Sequence, residues 1–243
     1  MNLQQKKDNS FLATEPLGRL LLKLSLPTVT AQVINMLYNI VDRIYIGHIP
    51  ETGALALTGV GVCMPLIMIV SAFAALVGNG GAPRASIFMG KGDKESAEQT
   101  LGNCFTTQIV VSLLLTLILF TGNKSFLMAF GASENTIPYA VAYMNIYSLG
   151  TIFVQLTLGM NAFITAQGFA KTSMLSVLVG AASNIILDPI FIFALHMGVR
   201  GAALATIVSQ ALSCTWVLHF LMGKKSYLKI HRCNMKLKKD INL

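Results

Sequence analysis

The sequence predicts an all-α membrane protein with six transmembrane helices and with both termini in the cytoplasm. Three observations lead to this fold class. Of the 243 residues, 54% are hydrophobic and only 12% are charged, whereas about 25% of the residues of a soluble domain are charged. The apolar residues are gathered in six long segments. Lysine and arginine are distributed unevenly between the segments that connect them.

The six apolar segments are each long enough to cross a membrane. A helix needs about 20 mainly apolar residues to cross the hydrocarbon core, and unpaired backbone polar groups are excluded from lipid, so these runs are expected to be helices. The fourth segment has room for a span and an interfacial turn. The predicted spans are residues 20–46 and 53–81, and segments within residues 98–124, 134–171, 171–200 and 200–224.

The positive charges give the orientation. With the N-terminus inside, the inner segments hold 15 of the 18 Lys and Arg residues, which is the bias expected of cytoplasmic loops. The net charge of +8 is then explained by contact with anionic lipid headgroups, and nucleic-acid binding is not expected. The first thirty residues show no cleavable secretion signal. The predicted location is the cell membrane.

Outside the spans the sequence predicts only short polar segments. Residues 1–19 form a cytoplasmic N-terminal segment, residues 20–222 a six-helix lobe, and residues 223–243 a basic cytoplasmic tail or linker. Residues 89–100 are expected to form a short inner loop that ends in a helix start. Cys63, Cys104 and Cys214 lie in apolar stretches and Cys233 in the tail, without metal-ligand spacing. They are expected to be small core residues or unpaired thiols.

Polar side chains mark one face of the first span. An ionisable group inside a span costs roughly 2.5–3.5 kcal/mol on insertion scales, so it is a functional candidate by default. Spacings of three and four residues place the polar positions on one helix face, which faces either a cavity or polar groups of other helices. These positions are Thr28, Gln32, Asn35, Tyr38, Asn39 and Asp42.

Similar stripes occur in the fifth and sixth spans. The fifth carries Ser176, Gly180, Asn184 and Asp188 at a strict spacing of four, and the sixth carries Thr206, Ser209, Gln210 and Ser213. At a rise of 1.5 Å per residue, Asp42, Asp188 and Thr206 lie within about one helical turn of the same depth. Two carboxyl groups, an amide and a hydroxyl are therefore expected to converge in the outer half of the lobe.

This set of groups suits the reversible binding of a small cation. Two neighbouring carboxyl groups in a poorly hydrated cavity cannot both ionise at low cost, so one is expected to bind a proton reversibly. The oxygens of Asp42, Asn184, Asp188 and Thr206 equally suit Na⁺, a hard cation that prefers oxygen ligands. The alternative for Asp42 is an interfacial residue paired with Arg43.

Proline residues interrupt the hydrogen bonding of three spans. Each proline removes one backbone donor and frees the carbonyl group four residues earlier. Pro27 lies in the span of Asp42, Pro65 lies in the second span, and Pro189 directly follows Asp188. Such kinks serve either as hinges that respond to cation binding or as static bends. Pro27 and Pro189 are the predicted hinges.

Four segments carry a resemblance to a known family. The chain contains, in this order, LKLSLPTVTAQVINMLYNIVDRIYIGHI, VGNGGAPRASIFMGKGDKESAEQTLGN, NAFITAQGFAKTSM and SNIILDPIFIF. As an ordered set, across about residues 15–225, they resemble the N-terminal half of a multidrug and toxin extrusion (MATE) transporter. The resemblance implies one six-helix lobe of a twelve-helix fold. It also implies export of cationic, amphipathic compounds by antiport with H⁺ or Na⁺.

The resemblance also implies a site and partners. The cation-binding network of the lobe corresponds to Tyr38, Asp42, Asn184, Asp188 and Thr206, and Pro27 corresponds to the bending proline. Gln32, Asn35, Asn39 and Gln210 are expected to line the cavity. No cofactor is expected apart from the coupling ion, and the expected partners are membrane lipid, cationic organic substrates and either a second lobe or a second copy.

The chain has about half the length of such a transporter. We expect a fragment of a full-length exporter, with a dimerising half-transporter and one subunit of a split pair as alternatives. A lipid-linked oligosaccharide flippase is a further alternative, but it would need arginines deep in the cavity. A non-transporting scaffold would tolerate changes at Asp42 and Asp188. An enzyme is not expected, because the GxGD motif of intramembrane aspartyl proteases is absent.

Overall fold

A computed structural model describes residues 16–230, which form seven α-helices and no strand. Five of these helices are long and apolar enough to cross a membrane, and α4 and α5 form a bent pair that supplies the sixth span. The six predicted spans are therefore confirmed. The helices are α1 Leu17–Gly47, α2 Gly53–Gly90, α3 Lys94–Ala129, α4 Ile137–Leu149, α5 Thr151–Ala166, α6 Ala170–Pro189 and α7 Val199–Met222.

The inner connection between α2 and α3 is shorter than predicted. The expected loop at residues 89–100 is wrong, because α2 continues past residue 81 to Gly90 and α3 already begins at Lys94. Beyond the hydrocarbon core a helix can continue with polar residues, since its backbone groups stay paired. Asp93 caps α3, and the backbone N–H of Ser96 donates to its Oδ1 at 3.0 Å. Hydrogen bonds from Ser96 hold the pKa of the Asp93 carboxyl group below its ordinary value.

The fourth span is broken at Gly150. Helices α4 and α5 meet there at an angle of 57°, a bend that the sequence did not predict. Gly150 is fitted to this position because the side chain of Ile207, from α7, occupies the space that a Cβ atom would need. The hydroxyl of Thr116, from α3, donates to the carbonyl of Ser148 at 2.9 Å, one residue before the end of α4.

The core of the lobe lies around α2, which packs on α3, α4 and α5, whereas α1 packs mainly on α6. Two buried glutamines connect neighbouring helices to the backbone of α2. The Nε2 atom of Gln155 donates to the carbonyl of Val70 at 2.8 Å, and that of Gln108 donates to the carbonyl of Ala74 at 3.0 Å. Cys63, Cys104 and Cys214 are buried, as predicted for small core residues, and Cys233 lies outside the described residues.

The outer end of α6 is irregular. Pro189 ends the α-helix, and residues Ile190–Ala194 continue as a π-helical turn, in which the N–H of Leu195 donates to the carbonyl of Ile190 at 2.9 Å. The predicted proline position is thus the point at which the hydrogen-bonding pattern of the helix changes. The helix ends agree with a six-helix lobe ending at Met222, and the division into three domains stays a prediction.

The close contact of α2 with α5 gives a test of the fold. A Cβ atom on Gly78 would lie 2.9 Å from the carbonyl oxygen and 3.0 Å from the Cα atom of Gly159. Because both are backbone atoms, we expect Gly78→Ala to lower the free energy of unfolding by about 1–3 kcal/mol. The matched control is Gly61→Ala in the same helix, where nothing lies within 4 Å. Melting temperatures in detergent measure both variants, and equal values for the two would contradict the packing.

Candidate functional site

A cavity of about 310 Å³ lies between α1, α2, α4, α5 and α7 in the outer half of the lobe. The polar face predicted for the first span forms one of its walls, so the shared orientation of these residues is confirmed from Gln32 onwards. Helix α7 contributes Thr206 and Gln210, as the stripe in the sixth span predicted. The polar residues of α1 that line this cavity are Gln32, Asn35, Tyr38, Asn39, Asp42 and Arg43.

The two predicted carboxyl groups lie next to each other, and Asp42 lines this cavity. Asp42 is only 9% exposed and Asp188 is fully buried, and their side chains lie within hydrogen-bonding reach of each other. The packing of α1 on α6 brings them together from positions 146 residues apart in the chain. Asp42 also experiences electrostatic attraction from Arg43, but its hydrogen-bonding neighbour is Asp188. The alternative of an interfacial Asp42–Arg43 pair is therefore not what the structure shows.

Amide and hydroxyl groups surround the carboxyl pair. The Nδ2 atom of Asn184, one turn before Asp188, donates to Asp188 Oδ1 at 3.3 Å. A smaller cavity of about 40 Å³ adjoins the first one and is lined by Asn184, Tyr38 and Thr206 among others. The Thr206 hydroxyl donates to the carbonyl of Ala202 at 3.0 Å. The structure thus brings together all five residues of the predicted cation-binding network.

Several buried oxygens at this site accept no hydrogen bond. They are Asp42 Oδ1, Asp188 Oδ2, Asn184 Oδ1 and Gln210 Oε1, for which no donor exists among the described residues. A buried polar atom without a partner costs free energy, so these acceptors favour the binding of a proton or a cation. All four are carbonyl or carboxyl oxygens, which hard cations prefer. These four oxygens therefore suit the binding of H⁺ or Na⁺. The role of each residue stays a prediction.

The two predicted hinge prolines lie at different distances from the site. Pro189 directly follows Asp188 at the change from α-helix to π-helix. Pro27 lies inside α1, but it precedes Asp42 by 15 residues, which is about 22 Å along a helix. Any motion at Pro27 must therefore reach the carboxyl pair through the length of α1, whereas motion at Pro189 acts on it directly.

Sequence reasoning missed three residues of the site. Tyr143 and Tyr147, one turn apart on α4, line the cavity and stack with their ring centroids 6.1 Å apart. Their spacing of four in an apolar segment was an available signal. Arg43 also lines the cavity, whereas the sequence offered it only as a possible partner of Asp42. It lies four residues before the end of α1, so it occupies the outer end of the cavity.

Comparison with known proteins agrees with this arrangement. The MatE family model matches residues 27–190, which include both carboxyl groups. The chain belongs to the MATE family. It is 28% identical over 207 residues to the multidrug export protein MepA of Staphylococcus haemolyticus, a match covering 85% of this chain and 45% of that protein. The chain therefore spans about half the length of the curated relatives that it matches.

Solved MATE structures share the fold. The chain is similar to a MATE transporter crystallised in a bent conformation, with a TM-score of 0.85, 26% identity and coverage of 92% of this chain and 50% of the other. It is similar to a MATE transporter in a straight conformation, with a TM-score of 0.86, 25% identity and coverage of 96% and 52%. These matches agree with one lobe of a twelve-helix fold and with a multi-pass protein of the plasma membrane.

The carboxyl pair predicts how stability depends on pH. Above about pH 5 an unfolded chain releases the protons of both carboxyl groups, whereas a folded lobe in which Asp42 and Asp188 share a proton, as the sequence predicts, retains one. The folded state then binds more protons than the unfolded state, so the free energy of unfolding falls as pH rises. The fall is at most about 1.4 kcal/mol per pH unit for each retained proton. Replacing Asp188 by Asn removes one of the two like charges, so we expect the fall to be smaller.

Melting temperatures of the purified chain in detergent between acidic and alkaline pH measure this slope. Glu134→Gln is the matched control, because it removes an exposed carboxyl group from an outer turn and is expected to leave the slope unchanged. A slope in Asp188→Asn that equals the wild-type slope would mean that the two carboxyl groups do not share a proton.

Proposed function

We propose that this chain is the cation-binding lobe of a secondary active multidrug exporter, which exchanges cationic, amphipathic compounds for H⁺ or Na⁺. The observation that carries the proposal is the buried Asp42–Asp188 pair beside acceptor oxygens that have no donor. The curated relatives are multidrug export proteins, which supports the substrate class.

The geometry suggests how a drug and an ion exclude each other. The polar face of α1, including Asp42, lines the cavity, so a cationic compound bound there lies close to the carboxyl pair. Its positive charge favours the ionised carboxylates and therefore the release of the coupling ion. By linkage, a bound ion weakens the binding of the compound by the same factor. Reciprocal exclusion of two cations from one cavity is the thermodynamic basis of antiport.

We infer that H⁺ is the ion that suits the present conformation. Two carboxyl groups within hydrogen-bonding reach need a proton between them, since two carboxylates at this distance repel each other. The observation that favours Na⁺ is the set of oxygens without donors, contributed by Asn184 and Gln210 as well as by the carboxyl pair. A Na⁺ ion would need Asp42 and Asp188 to separate enough to admit it.

Transport is proposed to need a second lobe or a second copy of the chain. Alternating access in repeat-built transporters works by movement of one repeat against the other. The face of α1 that points away from the other helices is apolar and exposed, with Met36 at 70% and Leu37 at 56% exposure. Such a face suits contact with lipid or with a second lobe. The relatives include proteins of about twice this length, which supports the need for a second lobe.

An efflux assay tests the proposal. Cells that express this chain, alone and together with the C-terminal half of a MATE transporter, are loaded with a cationic dye, and its export along an ion gradient is followed. We expect export with the second half present and at least a tenfold loss in Asp42→Asn and Asp188→Asn, because a neutral amide cannot exchange a proton. Asp93→Asn is the control, since it changes an aspartate outside the site to another good helix cap.

Two outcomes would contradict the proposal. Wild-type export by both site variants would show that the carboxyl pair does not couple transport. No export in any pairing, with a correctly inserted protein, would favour a non-transporting scaffold.

The coupling ion has its own test. A ligand that binds only the folded state raises stability by RT ln(1 + [L]/Kd), about 2.7 kcal/mol at a hundred times Kd. If Na⁺ binds, NaCl will raise the melting temperature above the value in choline chloride, and Asp188→Asn will abolish the difference. If H⁺ is the ion, the two salts will give equal melting temperatures. A Na⁺ effect that persists in Asp188→Asn would place the bound ion elsewhere.

A further inference from the structure

The described residues that follow α7 do not project into solvent as a polar tail. After the end of α7 at Met222, it turns back over the inner ends of the helices. Ser226 is 1% exposed and Leu228 is fully buried. The side chain of Leu228 belongs to a hydrophobic cluster that includes Leu101 of α3, Phe163 of α5 and Leu221 of α7. We name residues 226–229 the strap.

One glutamine holds most of the strap. Gln167 directly follows α5 and is 2% exposed. Its Oε1 atom accepts hydrogen bonds from the Tyr227 N–H at 2.9 Å and from the Leu228 N–H at 3.0 Å. The Ser226 hydroxyl lies 3.0 Å from the same oxygen and shares its one proton with the carbonyl of Leu228 at 2.6 Å. Its Nε2 atom donates to the carbonyl of Phe163 at 3.1 Å. The nitrogen of this carboxamide therefore binds α5, and its oxygen binds the strap.

The strap is attached to α3 as well. The N–H of Lys229 donates to Oε1 of Glu98 at 3.2 Å, and Glu98 forms an ion pair with Lys94 at 3.5 Å. The Lys94 ammonium also lies 5.3 Å from the centre of the Tyr227 ring, within the range of a cation–π interaction. Three residues of the strap thus contact helices other than the one they follow.

We propose that Gln167 positions the strap as a fixed tie that joins the inner ends of α3, α5 and α7. The attachments link these three helices. A wide cavity of about 710 Å³ is lined by residues of α1, α2, α5 and α6 that include Thr28, Gln32 and Asn161. No strap residue lines this cavity, but Ala166 of α5 lines it and also packs against the cluster that contains Leu228.

Thiol labelling tests the tie without any assay of transport, so its result is independent of the proposed function. The full chain with Cys233→Ser is purified in detergent and reacted with a water-soluble maleimide. In this background, in which Cys63, Cys104 and Cys214 are buried, one further cysteine is placed at a strap position by Leu228→Cys or, separately, by Ser226→Cys. Lys225→Cys, at an exposed position just before the strap, is the reference. We expect both strap thiols to react at least roughly tenfold more slowly than the reference, at acidic and at alkaline pH alike.

Adding Gln167→Leu is expected to raise the labelling of both strap thiols at least roughly tenfold, because it removes the hydrogen bonds that Oε1 accepts from the strap. Gln99→Leu is the matched control, as it changes a partly exposed glutamine of α3 at the same end of the lobe and is expected to leave the strap protected. Rapid labelling of both strap thiols in the parent chain would overturn the proposal. Protection that survives Gln167→Leu would overturn the role of Gln167, and protection at only one pH would make the strap a gate instead of a tie.

Discussion

The contact between Asp42 and Asp188 is the constraint on which the arrangement of the lobe depends. Two carboxyl groups within a membrane are tolerated only where protein covers them and where they are neutralised or share a proton. Helix α1 has few other buried groups, and it packs mainly on α6, which carries the partner carboxyl group. The orientation of the polar face of α1, the position of α6 and the location of the cavity all follow from this pair.

The remaining helices are held together by means that suit a lipid environment. Apolar side chains gain little from contact with each other when the alternative is contact with lipid tails, so small residues and hydrogen bonds gain importance. The contact of Gly78 with Gly159 brings α2 and α5 backbone to backbone. Gln108 and Gln155 donate to carbonyl groups of α2, whereas Gln167 at the inner end accepts hydrogen bonds from the strap.

The spans and most of the site were predictable because lipid imposes simple rules. A long run of apolar residues must be a helix. The period of the helix fixes which residues share a face, and the rise per residue gives the depth of each residue in the membrane. These rules were enough to bring Asp42, Asp188 and Thr206 together. They carry no information on Gly150, because a glycine within a span can equally sit in a straight helix at a close contact, as Gly78 does.

Other features could not be predicted from the sequence, for different physical reasons. Tyr143 and Tyr147 have no charge, so an apolar segment contains them at little cost and nothing marks them as cavity residues. Arg43 was counted with the outer charges, although a side chain of this length can reach a cavity from near a helix end. The strap could not be predicted because most of its hydrogen bonds use backbone N–H groups, which are the same in every sequence.

The strap has a consequence for how the lobe is made. Chains fold largely in the order of their synthesis, and residues 226–229 follow all six spans. Until they emerge, Gln167 lacks its donors on the strap, and the cluster of Leu101, Phe163 and Leu221 lacks Leu228. A chain interrupted just after Met222 would contain every span and yet present the uncovered apolar cluster to the cytoplasm. Cellular quality control would therefore have a means of distinguishing finished lobes from those whose synthesis stopped a few residues early.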